Sequence, residues 1–321
     1  MKTSPDITRL ACLGEVMIEL ATLDARTAQI GVAGDTYNTA VYLRRLLSEQ
    51  RDDDDTPAAR DLSVSYITAL GDDPMSDRIQ AELQQHDLDT DCVERRPGQS
   101  PGLYAIETDA NGERSFSYWR ENAAARSLFQ SPARVALSCI ETFDLIYLSG
   151  ISLAILPSDM RTQLLVALGH FRARGGTVAF DSNYRPRLWE SQAVAREVTE
   201  AMWSAVDIAL PSLDDEMALF GDVDEAAVLD RLARCGVRVG ALKRGEQGPM
   251  DLGPDTDAGE HGSFARVEQV LDTTAAGDSF NAGWLAAFVQ GRDAHARLVC
   301  GHALASQVVQ KQGAIVDTVA V

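Results

Sequence analysis

Positive charge is scarce in this chain of 321 residues: 29 Lys and Arg stand against 48 Asp and Glu, a net charge of −19. Phosphate backbones and anionic membrane surfaces are held mainly by clustered Lys and Arg, so this balance argues against nucleic acid and membrane as partners. A site for any anionic ligand must gather its cations locally. Cysteine is sparse as well. Cys12, Cys92, Cys139, Cys235 and Cys300 are scattered, odd in number and never in CxxC spacing. That argues against a disulfide framework or a zinc site and leaves buried free thiols in a reducing compartment. The N-terminal MKTSPDITRLACLGEVMIEL lacks the long apolar run of a signal peptide or membrane span, so a cytoplasmic location is expected.

Several catalytic signatures are missing too. There is no GxxxxGKS/T loop, no GxGxxG after a first strand, no HExxH and no GxSxG. His86, His170, His261, His295 and His302 show no ligand spacing. Walker-type ATPases, Rossmann dehydrogenases, zinc hydrolases and serine hydrolases are all disfavoured on these grounds.

What is present reads as an ordinary globular protein, with 45% hydrophobic and 24% charged residues. The length suits one large domain, alone or with a small appendage. From about residue 60, strand-like runs alternate with amphipathic helical runs: LSVSYITAL (62–70) then 74–86, FDLIYLSG (143–150) then 158–176, and TVAFDSN (177–183). AVDIALPS (205–212), a helix near 224–235 and VRVGALKRG (237–245) continue the series. That rhythm predicts parallel βαβ units, an α/β sheet covered on both faces. Two segments break it. EVMIELATLDARTAQIGVAG (15–34) and GLYAIETDANGERSFSYWRE (102–121) read as β-hairpins, the second turning at Asn111-Gly112. Neither has a crossover helix, so both are expected in a small antiparallel sheet placed as a lid. The acidic run at 48–61 and the polar stretch at 253–262 read as solvated loops.

Near the C-terminus the chain reads DTTAAGDSFNAGWLAAF, Asp272 to Phe288. Phe280, Trp284, Leu285 and Phe288 recur at helical spacing, so a helix should start near Gly277 or Asp278. An aspartate that merely caps a helix accounts for this pattern. So does an anion site, because the first N–H groups of a helix lack internal partners and small residues let a phosphate approach them. The polar residues Asn183 and Arg185, Ser212 to Asp215 and Lys243 to Gly248 all follow strands, at the edge where open α/β sheets bind ligands. A phosphate-friendly helix start, one carboxylate and a lid are the parts that phosphoryl transfer to a hydroxyl needs. Asp278, beside a positive helix end, is expected to stay ionised and to act as a weak resting base.

DTTAAGDSFNAG resembles the C-terminal signature of the ribokinase/PfkB family of sugar kinases, and AGDTYNTAVYLRRL (33–46) resembles its N-terminal sugar-binding signature. The two lie about 240 residues apart, in the right order, with the hairpins between them. The resemblance covers essentially the whole chain. It implies a ribokinase-like three-layer α/β/α sandwich with a mainly parallel central sheet. It also implies one kinase domain over residues 1–321, with a small antiparallel β lid formed by about 15–34 and 100–121. Within the family, GDTYNTAVYL (34–43), GLYAIETDANGERSFSYWRENAAAR (102–126), FDSNYRPRLW (180–189) and LDTTAAGDSF (271–280) are most similar to the 2-keto-3-deoxygluconate kinases.

That resemblance carries roles with it. Gly34, Asp35 and Asn38 are expected on the sugar hydroxyls, with Tyr104, Tyr118 and Arg120 reaching in from the lid. Arg120 and Arg185 would meet the carboxylate of a sugar acid, where a planar guanidinium is the fitting donor. Asn183, Arg185, Lys243, Gly245 and Gly248 belong to the nucleotide side. Ala275, Ala276 and Gly277 would form the anion hole and Asp278 the base for the terminal hydroxyl, O6. ATP and Mg²⁺ are the implied cofactors, with no direct protein ligand to the metal, and Asp272 is a candidate for binding a monovalent cation. The segment 300–315 resembles the one that flanks adenine. Departures from the family pattern are Ala275 and Ala33 in place of glycines, and Ser212-Leu213-Asp214-Asp215 in place of NxxE. A fructokinase or ribokinase and a non-catalytic sugar-acid-binding protein remain the competing readings. A homo-oligomer, as a dimer through the lids, is expected from exposed sheet edges.

Overall fold

The computed structural model describes residues 7–49, 62–108, 114–253 and 264–318. The acidic run from 50 to 61, the hairpin turn at 111–112 and the polar stretch at 254–263 therefore lie outside the described residues.

The main sheet has six parallel strands in the order β10-β9-β8-β1-β4-β5. They are β1 (Arg9–Leu13), β4 (Ser63–Leu70), β5 (Val93–Arg95), β8 (Leu145–Ser149), β9 (Thr177–Asp181) and β10 (Ile208–Ala209). β8 and β9 carry largely continuous apolar runs and β4 mixes two serines with apolar residues, yet nearly every residue in the three is buried. Strands covered by helices on both faces read this way. On one side pack the helices Asp35–Glu49, Ala276–Val289 and Ala294–Val309, around Tyr37, Leu43, Trp284 and Leu304. On the other lie Ser158–Ala173, Gln192–Trp203 and Glu225–Arg234, around Leu164, Trp203 and Leu232. Trp284 and Trp203 are both fully buried, one in each layer. Truncating either to Ala costs about 3–5 kcal/mol. This is the expected three-layer α/β/α arrangement.

Two details depart from the sequence reading. Strand alternation does not begin near residue 60: β1 lies in the middle of the sheet, pairing in parallel with both β4 and β8. A five-residue apolar run has too little length for its period to show. The strand expected within 237–245 shortens to β11 (Ala241–Leu242), which pairs antiparallel with β12 (Met250–Asp251). Parallel bridges Ala209↔Gly240 and Ser212↔Lys243 still hold this segment to the edge of the main sheet. Gly240 makes that approach possible, since a Cβ there would lie 1.8 Å from the Ala209 carbonyl oxygen.

The two hairpins join into a second, four-stranded sheet of order β3-β2-β6-β7. β2 (Met17–Thr22) pairs antiparallel with β3 (Ala28–Ala33), and β6 (Leu103–Thr108) with β7 (Arg114–Trp119). The inner pair, β2 and β6, runs parallel. Met17, Ala33, Tyr104 and Ile106 from this sheet meet Ala314 in a small separate core, with Ala275 packed against it.

Candidate active site

The carboxyl edge of the main sheet gathers side chains from five separate stretches. The helix Asp35–Glu49 begins directly after β3, and Gly34 at that junction has no room for a side chain. A Cβ would stand 2.3 Å from the Glu15 carbonyl oxygen. Asn38, one turn into the helix, donates from Nδ2 to Asp278 Oδ2 at 2.8 Å, across 240 positions of sequence. Thr39 Oγ1 lies 3.1 Å from the Asp278 carbonyl oxygen. Asp35 Oδ2 accepts from Asn183 Nδ2 at 2.7 Å. Asn183 holds φ at +32°, a backbone region that Asn tolerates better than most residues.

Asp278 occupies the first turn of Ala276–Val289. Ala276 N–H is already taken by the Thr273 carbonyl at 3.2 Å. Gly277 and Asp278, next in the turn, have no intrahelical acceptor for their N–H groups. The Lys243 ammonium stands over the same turn, 3.6 Å from where a Cβ on Gly277 would be. It donates to Asp181 Oδ2 at 2.5 Å and to Asn281 Oδ1 at 3.1 Å. Asn281 in turn donates to Asp181 Oδ2 at 2.7 Å. Gly245 and Gly248 flank a short turn of 3₁₀ helix, Gly245–Gln247, that follows this lysine.

The expectation that Asp278 rests ionised is overturned. Its carboxyl is pushed up to about 8, chiefly by removal from water and next by the Asp35 carboxylate. Asp181 adds to the rise; the Asn38 hydrogen bond and Lys243 oppose it. The residue keeps some contact with solvent, yet its carboxyl end lies among protein atoms. The helix dipole contributes too little to offset desolvation and two neighbouring carboxylates.

The arginines divide. Arg120 is buried against Glu15, itself buried, in an ion pair. Burial pushes the Glu15 carboxyl up, and Arg120 pulls it back. Glu15 Oε1 and Arg120 Nε remain without hydrogen-bond partners among the described residues. Arg185 is exposed, 3.5 Å from Asp215. Tyr104 hydroxyl donates to Glu19, and its ring stacks on that of the exposed Tyr118 at 5.7 Å.

A metal has limited protein support here. Among the described residues no three His, Cys, Asp or Glu side chains come together as a ligating group. Asp215 lies beside Arg185, its carboxyl raised by burial and held back by that guanidinium. Glu216 points inward, accepting from Arg231 at 2.9 Å and from the Trp203 ring N–H at 3.3 Å. Asp272 accepts the N–H groups of Thr274 at 2.9 Å and Gly313 at 2.7 Å.

The pfkB family carbohydrate kinase model matches residues 7–320. The chain belongs to the pfkB family of carbohydrate kinases. It is 43% identical to a 2-dehydro-3-deoxygluconokinase of Dickeya dadantii, with 96% of each chain covered. The crystal structure of a 2-dehydro-3-deoxygluconokinase from Thermotoga maritima superposes with a TM-score of 0.79 at 18% identity, covering 97% of this chain and 95% of that one. A Vibrio cholerae fructokinase structure with fructose, ADP and calcium bound gives 0.77 at 20% identity, covering 97% and 95%. At such identities the two structures speak to the fold alone.

In this carbohydrate kinase, Asp278, Asn38, Asp35, Asn183 and Lys243 are linked into one network through Thr39 and Asp181, while Tyr118 stands apart on the exposed face of the small sheet. Sequence reasoning missed Glu15, Asp181 and Asn281. Asn281 lies three positions after Asp278, on the same helical face, and that spacing could have pointed to it. Asp181 ends a strand beside Asn183, a weaker signal. Glu15 sits between apolar runs and gave none.

Proposed function

We propose that this kinase transfers the γ-phosphoryl group of Mg-ATP to O6 of 2-keto-3-deoxy-D-gluconate, giving 2-keto-3-deoxy-6-phosphogluconate. The observation that carries the chemistry is the Asn38–Asp278 hydrogen bond, which joins the N-terminal and C-terminal signatures at the mouth of an open helix end. The substrate rests on 43% identity along nearly the whole chain to a kinase named for that acid.

Asp278 takes the O6 proton as the oxygen–phosphorus bond forms and the bond to the departing ADP breaks. A carboxyl pushed up to about 8 is a stronger base than an ordinary aspartate, and its pKa sits near the working pH, where base catalysis is efficient. The N–H groups of Gly277 and Asp278 and the Lys243 ammonium meet the charge on the phosphoryl oxygens. Ala275 shapes the entrance to that turn. Gly34, Asp35 and Asn38 hold sugar hydroxyls, with Tyr104 and Tyr118 closing from the small sheet as a lid and Arg120 and Arg185 at the acid. Asn183 bridges from the nucleotide side to Asp35, and Gly245 and Gly248 border the nucleotide. A magnesium ion bound with the nucleotide would supply charge neutralisation, and Asp215 is the residue that would help to hold it. A monovalent cation beside Asp272 belongs to the same proposal.

We place the reaction in the cytoplasm. Among the described residues no helix is long and apolar enough to cross a membrane. The small sheet exposes Phe116, Tyr118 and Trp119 on one strand, which supports pairing of lids in a dimer.

The deciding assay is ADP release from Mg-ATP with 2-keto-3-deoxygluconate, fructose and ribose side by side, for wild type and Asp278→Asn. Turnover with the acid alone, abolished in the variant, is the expected result. Turnover with fructose or ribose and not the acid overturns the substrate; tight binding of the acid with no turnover overturns the kinase activity.

A further inference from the structure

Two of the five cysteines meet in space. Cys92 stands in the turn directly before β5, the edge strand of the main sheet. Cys139 lies in the short 3₁₀ helix Leu137–Thr142, which leads into β8. Both are half-buried and pack against the core layer of Leu164 and Trp203. Each thiol has the other as a hydrogen-bond partner.

Residues other than the cysteines hold this meeting in place. Glu94, just beyond Cys92, accepts the Val135 N–H, and Arg96 donates to the carbonyls of Ser127 at 2.7 Å, Gln130 at 2.6 Å and Pro132. Both side chains are buried, and they clamp β5 to the stretch ahead of Cys139. The turn that carries Cys92 is fixed to β4: Asp89 N–H donates to the Val64 carbonyl and Tyr66 N–H to the Asp89 carbonyl, each at 2.9 Å. Cys139 N–H donates to the Ala136 carbonyl at 2.9 Å, and its own carbonyl accepts from Thr142 Oγ1 at 2.7 Å. Two sulfurs within hydrogen-bond reach on fixed backbone need little movement to attain disulfide geometry.

The two thiols are unequal. The hydrogen bond from Cys139 draws the Cys92 thiol below its ordinary value, against burial and the nearby carboxylates of Asp89 and Asp91. The same bond, together with burial, pushes the Cys139 thiol up. The thiolate is the form that attacks an oxidant. Of the other cysteines, Cys12 and Cys300 are buried, and burial raises the Cys235 thiol.

We propose that Cys92 and Cys139 are an oxidisable dithiol, a modification site at which hydrogen peroxide makes a disulfide. The Cys92 sulfur attacks the peroxide O–O bond; an S–O bond forms, and hydroxide leaves and takes up the thiol proton as water. The Cys139 sulfur then displaces the oxygen from Cys92. The S–S bond forms, the S–O bond breaks, and the Cys139 proton leaves with the hydroxyl as a second water. Two thiols give up two electrons and the peroxide gains them. The bond closes the segment 92–139, with β6 and β7 inside the loop, and so staples the base of that hairpin to the main sheet. A loop of this length strongly constrains the unfolded chain. The site works whichever sugar the kinase phosphorylates.

The test treats the full-length protein with a few equivalents of hydrogen peroxide, counts thiols under denaturing conditions and maps linked peptides by mass spectrometry. We expect the count to fall from five to three. The mass should drop by two hydrogens, with Cys92 and Cys139 in one linked peptide that dithiothreitol separates. The Tm of the oxidised form should rise by roughly 5 °C or more and return on reduction. In Cys139→Ser, which lacks the second thiol, dimedone should trap a sulfenic acid at Cys92, whereas in Cys92→Ser it should leave Cys139 unlabelled. Five intact thiols in the treated wild type overturn the proposal. So does a bond through any other pair, or over-oxidation of Cys92 beside a free Cys139. A linked pair that leaves Tm unmoved overturns the stapling of the hairpin.

Discussion

The protonation of Asp278 gives the sharpest test of the site. With its carboxyl pushed up to about 8, only about one molecule in ten carries the carboxylate at pH 7. A base must be deprotonated to accept a proton, so activity is lost as pH falls through that value and is full above it. Since kcat/KM reports the free enzyme, it should rise about tenfold per pH unit below about pH 7.5 and level off above about pH 8.5. Asn38→Ala removes the Nδ2 donor that holds Asp278 Oδ2 at 2.8 Å. A hydrogen bond to a charged acceptor contributes about 1.5–3 kcal/mol, and one pKa unit is about 1.4 kcal/mol. The rising limb should therefore move to higher pH by about one to two units. Asn38 also faces the proposed sugar site, so the plateau falls too; the position of the limb reads the hydrogen bond, and its height reads the lost binding. The assay is ADP release at subsaturating acid from about pH 5.5 to 10. A wild-type limb near about pH 4–5, where an ordinary aspartate titrates, would refute the reasoning, as would a limb that stays put in the variant.

Removing Arg120 should damage the fold as well as the activity. Arg120→Met strands the buried Glu15 carboxylate, and denaturant unfolding should show a loss of about 3–5 kcal/mol that Glu15→Gln in the same chain largely restores; a loss under about 1 kcal/mol would show that the pair is of little account. At Ala275 the backbone sits at φ +61°, which costs an L-residue about 1–2 kcal/mol, against about 0.5–1 kcal/mol of extra chain entropy for Gly. Ala275→Gly should leave thermal stability equal or slightly higher, whereas Ala275→Val lowers it, and a clear loss in the glycine variant would refute the strain argument.

Much of the architecture was legible because it is written in local patterns. The buried runs of β4, β8 and β9 and the amphipathic helices between them repeat at βαβ intervals, and each was found close to its observed bounds. The central strand β1 was not, because its five residues carry no period and no punctuation. Nor could hairpin patterns show how the two hairpins meet. The parallel pairing of β2 with β6 is a contact between segments some 85 positions apart, and nothing in either strand's alternation encodes its neighbour.

The site divides along the same line, between what a motif states and what only three dimensions assemble. Spacing placed Asp278 at a helix mouth and Asn38 in a sugar signature, but the hydrogen bond between them crosses 240 residues. The other surroundings that the fold assembles there reverse the local expectation. Read along the chain, Asp278 has a helix end beside it and should be ionised. Read in space, it is desolvated and faces Asp35 and Asp181, and these outweigh the dipole. The arginines show the same inversion. Arg120 looked free because its partner Glu15 lies 105 residues away. Charge in a sequence can be counted, but which charges remain unspent depends on pairing across the fold.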